Sequence, residues 1–126
     1  MRVLGIDCGS EYTGYGVVEE TPDRKLFCHV HGAIKLKSGT PMAAKLEKIF
    51  ADLKDIIAKH QPEVMAIEDV FYAVNVKSAL KLGQVRGVAM LAASTSGLQV
   101  AEYSPLSIKS AVVGYGRADK FLACII

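Results

Sequence analysis

Asp7 and Glu68 are the residues whose type and placement could do chemistry. Each closes a short apolar run, RVLGID over 2–7 and Val64 to Ile67 running into Glu68 and Asp69. If these runs are neighbouring parallel strands, about 4.8 Å apart, both carboxylates project at one sheet edge. That edge, outside the carboxyl ends of the strands, is where open α/β sheets place ligands. Two carboxylates so close repel, and a divalent cation relieves the repulsion. Oxygen donors of this kind suit Mg²⁺ or Mn²⁺, and Mg²⁺ keeps several waters and accepts phosphate oxygens, so such a site would handle phosphate esters. Asp69 alternates to the other side of the strand. The plainer reading is that acidic residues after short strands are simply turn residues.

Asp7 opens the stretch DCGSEYTGYG, whose glycines at 9, 14 and 16 let a backbone come close to a phosphate. A DxGxxxTGxG pattern also occurs in sugar-kinase and actin-like ATPases, so an ATP-binding domain is one alternative. His29, His31 and His60 suggest structural roles. The first two alternate on one strand face, and His60 ends a helix, where His⁺ favours the macrodipole. Cys8, Cys28 and Cys124 lack metal-like spacing, and a thiolate is a poor partner for Mg²⁺.

The positioning elements follow from periodicity. Strands are expected over 2–7, 13–20 and 26–34, the last two as a hairpin. An amphipathic helix spans about 41–60, with Met42, Leu46, Ile49, Phe50, Leu53, Ile56 and Ile57 on one side, and Gln61-Pro62 ends it. A fourth strand covers 64–67. Ser78 can N-cap a second helix running to about Ser94, apolar around most of its circumference, with one side a candidate subunit interface. Gly83 and Gly87 each cost about 1 kcal/mol in a helix interior, so they imply close approach by another element, within the chain or between subunits. A fifth strand, 99–103, and a third helix from Pro105 complete the order βββαβαβα. The expected architecture is a single α/β domain over 1–126, a mixed five-stranded sheet flanked by helices, with strands one and four adjacent and parallel.

Composition narrows the function classes. The 126 residues are 51% hydrophobic and 22% charged, which excludes a disordered chain. The net charge of +2 hides an asymmetry: residues 73–126 carry six basic and two acidic residues, a net +4. No signal-peptide-like or membrane-spanning run is read, and a reducing cytoplasm fits the cysteine usage.

GIDCGSEYTGYGVV, AIEDVFYAVNVKSALKLGQVRGVAMLAA and AEYSPLSIKSAVVGYGRADK together resemble, in order and spacing, the RuvC family of Holliday junction resolvases. The resemblance implies an RNase H-like fold, a homodimer, and Mg²⁺-dependent endonucleolytic nicking of four-way junction DNA at symmetric positions in recombination and repair. It also implies work alongside a branch-migration helicase complex, RuvA and RuvB. Asp7 and Glu68 match the first two acidic residues of the family's catalytic set. Phe71 matches an exposed aromatic that stacks on a base at the junction centre, worth about 1–3 kcal/mol per base, although an ordinary core Phe is the other reading. Lys77, Lys81, Arg86, Lys109, Arg117 and Lys120 are the candidate phosphate contacts, with Lys109 and Lys120 in the family's DNA-contacting context. Family members continue into a C-terminal helix bearing two more acidic or histidine ligands. Here the sequence ends FLACII, so that final catalytic helix is expected to be missing, and two carboxylates are a meagre set for two ions. A catalytically inactive junction-binding dimer is therefore a further alternative.

Overall fold

The computed structural model describes residues 1–9, 11–68 and 75–103. Three strands open the chain, β1 (Arg2–Asp7), β2 (Tyr12–Glu20) and β3 (Leu26–Lys35), followed by α1 (Met42–His60), β4 (Val64–Glu68), α2 (Val76–Thr95) and β5 (Gln99–Tyr103). The sheet order is β3-β2-β1-β4-β5. β1–β2 and β2–β3 are antiparallel, whereas β1–β4 and β4–β5 are parallel. This is the mixed five-stranded sheet expected from the sequence, with strands one and four adjacent and parallel. The third helix expected from Pro105 lies outside the described residues.

Alternation along the strands sorts the core into two faces. Leu4, Ile6, Val17, Met65 and Ile67 pack with Ile49, Leu53 and Ile57 of α1 and with Val85, Ala89, Ala92 and Ala93 of α2. Val3, Val18 and Ala66 form a second buried cluster, with Tyr103 packed against it. β3 runs in the direction of β1, since both oppose β2. The ends of β1, β3, β4 and β5 and the beginnings of both helices therefore gather at one edge of the sheet.

Several local expectations are corrected. α2 begins at Val76 with Asn75 as its N-cap, the Asn75 carboxamide oxygen accepting from the Ser78 backbone N–H at 2.9 Å. Ser78 is thus inside the first turn; Asn and Ser cap almost equally well, and the extended backbone at Asn75 decides between them. α2 is not covered all round, because Val76 (77%), Leu80 (64%) and Leu91 (54%) are exposed. A Cβ added at Gly83 or Gly87 meets nothing within 4 Å, so no close approach among the described residues explains them. Gly9 has a different reason from the phosphate approach expected of it: a Cβ there would lie 2.3 Å from the Tyr12 carbonyl oxygen. A bulge in the β2–β3 pairing, where Val17 faces Val30 and Val18 faces Cys28, leaves His29 as the extra residue and breaks the alternation expected of His29 and His31.

At the far edge, Arg2 ties three elements together. Its Nε donates to Glu19 Oε1 at 3.1 Å and its Nη1 to the His60 carbonyl at 2.8 Å, while His29 Nε2 lies 2.7 Å from Glu19 Oε1. Burial, then Lys59, His29 and Arg2, push the His60 imidazole below its ordinary value, which works against the helix-end cation expected. His29 and then Arg2 hold the Glu19 carboxyl below the usual range. A carboxylate whose folded-state pKa is depressed stabilises the fold above its unfolded-state pKa and loses that contribution as pH falls through the folded value. Denaturant titrations of wild type and Glu19→Gln should therefore show a stability gap that is constant at neutral pH and closes only on the acid side of the carboxylate range.

Candidate active site

The parallel register Val3–Val64, Leu4–Met65, Gly5–Ala66 and Ile6–Ile67 brings β1 and β4 to their ends together. One residue further stand Asp7 and Glu68. Asp7 alternates with Gly5 and Val3, and Glu68 with Ala66, so both project from the sheet face opposite the helices. On the other side of Asp7 its antiparallel partner is Gly14, whose missing side chain leaves the carboxylate unobstructed.

The electrostatics fit a cation-hungry pair. Burial raises the Asp7 carboxyl above its ordinary value even though the residue is exposed, because the strand ends around it displace water on one side. Glu68 is raised by burial first and by the Asp7 charge second. Unit charges at about the strand spacing repel by about 1 kcal/mol in water and about 4 kcal/mol at the effective dielectric of a protein surface. A divalent cation between them reverses the sign of that interaction. Cys8, next in sequence, is a thiol with its pKa pushed up to about 12 by burial, then by Asp7 and Glu68 against the opposing pull of Arg86. It therefore offers no thiolate, and the donor set is hard oxygen. Among the described residues no third His, Cys, Asp or Glu joins the pair.

The remaining sequence candidates divide. Lys77 and Lys81 are exposed in the first turns of α2, whose first turn has no acidic residue and whose positive dipole end faces the same edge. Arg86 makes contacts within the fold: Nε donates to the Glu68 carbonyl oxygen at 3.4 Å, and Nη2 pairs with Glu102 of β5. Phe71, Lys109, Arg117 and Lys120 lie outside the described residues, as does Asp69. Thr13 of the ATPase-like pattern is fully buried, so its hydroxyl is not presented to a phosphate.

The match to known proteins decides the assignment. The family model described as "Crossover junction endodeoxyribonuclease RuvC" matches residues 3–124. The chain belongs to the RuvC family. A RuvC from Koribacter versatilis is 63% identical over 120 residues, covering 95% of this chain and 72% of that protein. One from Acidobacterium capsulatum is 52% identical over 128 residues, covering 95% and 74%. Among solved structures, T. thermophilus RuvC in complex with Holliday junction substrate superposes with a TM-score of 0.84 at 27% identity, over 90% of this chain and 72% of that one. These RuvC matches support the nuclease reading rather than the ATP-binding or inactive alternatives.

Sequence reasoning missed the Arg86–Glu102 pair within this RuvC chain. A basic residue in the middle of a helix that is apolar around most of its circumference was its one signal. Its guanidinium is mostly enclosed, at 16% side-chain exposure against 49% for Glu102, and it bridges β4 and β5 beside the site. Replacing Arg86 by Gln removes the cation from this mostly enclosed position and leaves the exposed Glu102 carboxylate without its ion pair. The expected loss is about 1–2 kcal/mol in urea unfolding after allowing for solvent screening, with partial recovery in Arg86→Lys.

Proposed function

We propose that this single-domain chain resolves four-way DNA junctions by metal-assisted phosphodiester hydrolysis, with Asp7 and Glu68 as the carboxylates that hold Mg²⁺ or Mn²⁺. The observation that carries the proposal is the β1–β4 register, which ends both strands at an acidic residue on one face. A bound cation would supply Lewis-acid polarisation of a phosphoryl oxygen and a lowered pKa for bound water. The chain's own groups do the rest. Lys77 and Lys81 and the α2 amino end neutralise phosphates beside the pair. Phe71 is assigned to stacking on an unpaired base, and Lys109, Arg117 and Lys120 to further phosphates, on the strength of the family resemblance. Arg86, through the Glu68 carbonyl and Glu102, acts as a positioning group.

The exposed side of α2 supports a homodimer. Val76, Leu80, Gly83, Gly87 and Leu91 recur at three- and four-residue steps along one apolar or side-chain-free stripe. Two glycines in a helix interior, each costing about 1 kcal/mol, are explained where a second copy's backbone comes close. A two-fold dimer would present two carboxylate pairs to a two-fold junction, which is how paired, symmetric nicks arise. Action in the cytoplasm, with RuvA and RuvB as partners, follows from the same family reading. Among the described residues no helix is long and apolar enough to cross a membrane.

The deciding assay is nicking of a labelled synthetic four-way junction with and without Mg²⁺. Asp7→Asn and Glu68→Gln should each lower the cleavage rate by at least about 10²-fold, since metal charge stabilisation is worth several kcal/mol. Junction binding should persist in both variants. Cleavage that is indifferent to either substitution would overturn the assignment.

A further inference from the structure

The expectation that phosphates are met by the basic second half of the chain leaves a different cluster unused. Two adjoining clefts run along the edge where β3 ends and both helices begin. The first, of about 540 Å³, is lined by Lys35, Lys37, Lys45 and Lys48 together with Thr40. The second, of about 250 Å³, shares Thr40 and Lys45 and extends to Glu11 and Lys81. Lys45 and Thr40 thus join the lysines to Lys81 of α2 in one groove.

This groove is held in place by the core beneath it. Ile34 and Leu36 are buried at 4% exposure each, so alternation turns Lys35 and Lys37 outward together. The Leu36 backbone N–H donates to the Glu11 carbonyl at 2.8 Å, fixing this segment against the loop that follows Asp7. Lys45 stands one turn before buried Ile49 on α1. Among the described residues Lys35, Lys37 and Lys45 have no ion-pair partner, while Lys48 pairs with Asp52 at 3.4 Å. Glu11 is the acidic residue on the groove wall. The α1 amino end adds positive potential here, having no acidic residue in its first turn and no side-chain cap.

We propose that this lysine groove is a second phosphate-tracking surface, which carries the backbone of a duplex arm of the junction away from the Asp7–Glu68 pair. The inference rests on the junction reading above and adds residues from the acidic half of the chain to it. A compact acceptor such as a free nucleotide would use one or two of these cations. A strand backbone, with a charge at each phosphate, matches a groove lined along its length by lysines.

The experiment is fluorescence anisotropy of a labelled four-way junction in EDTA, as a function of salt, for the whole chain. The Lys35→Gln/Lys37→Gln/Lys45→Gln variant should bind about tenfold or more weakly near physiological salt. The slope of log K against log salt should become shallower by about 2–3, at about 0.9 for each phosphate that is no longer neutralised. Lys25→Gln/Lys59→Gln, remote from this groove, should bind as wild type does, and circular dichroism melts should report unchanged folding for both. Wild-type affinity and slope in the triple variant, alongside weakened binding in Lys77→Gln, which lies outside the groove, would overturn the groove while leaving the junction reading intact. Failure of the wild-type chain to prefer a four-way junction over duplex DNA would overturn the junction reading itself, and the groove with it.

Discussion

The parallel pairing of β1 with β4 is the constraint on which everything else depends. It joins the amino-terminal meander to the helical half of the chain within the sheet, and its register sets two acidic residues side by side. A slip of one residue would turn Glu68 onto the helix-covered face, among Ile67's present neighbours, where a carboxylate has no partner. The hydrophobic alternation of Met65 and Ile67 against Val64 and Ala66 is what forbids that slip. Core packing and site geometry are therefore the same specification. The site's cost is local: two like charges at neighbouring strand ends, partly stripped of water, with their carboxyls raised above the ordinary range.

The surrounding charge is arranged so that an anion can approach an anionic centre. Both helices begin at this edge without acidic residues in their first turns, and exposed lysines stand on α1, α2 and the end of β3. On the proposed function, the carboxylates would hold the cation and the rim would meet phosphate, so that the two sets act on one phosphodiester from opposite sides. Arg86 belongs to neither set. Enclosed between β4 and β5, it neutralises Glu102 and holds the Glu68 main chain, and its positive charge opposes the two carboxylates at Cys8.

Legibility in the sequence followed the range of the interaction. β1, β4 and α1 could be read because a local period and a terminal carboxylate or proline mark their bounds, and the observed α1 at 42–60 differs from the expected 41–60 by one residue. The start of α2 is ambiguous in sequence because Asn75 and Ser78 offer the same capping chemistry and only the backbone conformation separates them. The direction in which Arg86 points is set by Glu102, sixteen residues away on another strand. The lysine groove was hidden by averaging along the chain: Lys35, Lys37 and Lys45 sit in a stretch with more acidic than basic residues, and only the turn from β3 into α1 brings them together. The apolar circumference of α2 suggests an interface, and the exposed Leu80 and Leu91 with Gly83 and Gly87, which meet nothing among the described residues, are the features that the proposed dimer would use.

The central claim, that Asp7 and Glu68 share a divalent cation, is tested most directly by isothermal titration of Mn²⁺ into the wild-type chain and into Asp7→Asn and Glu68→Gln. Saturable binding by the wild type that is weakened at least about tenfold in each variant is the predicted result. Equal affinity in all three proteins would contradict it, and would mean that the two side chains meet at the strand ends without acting together.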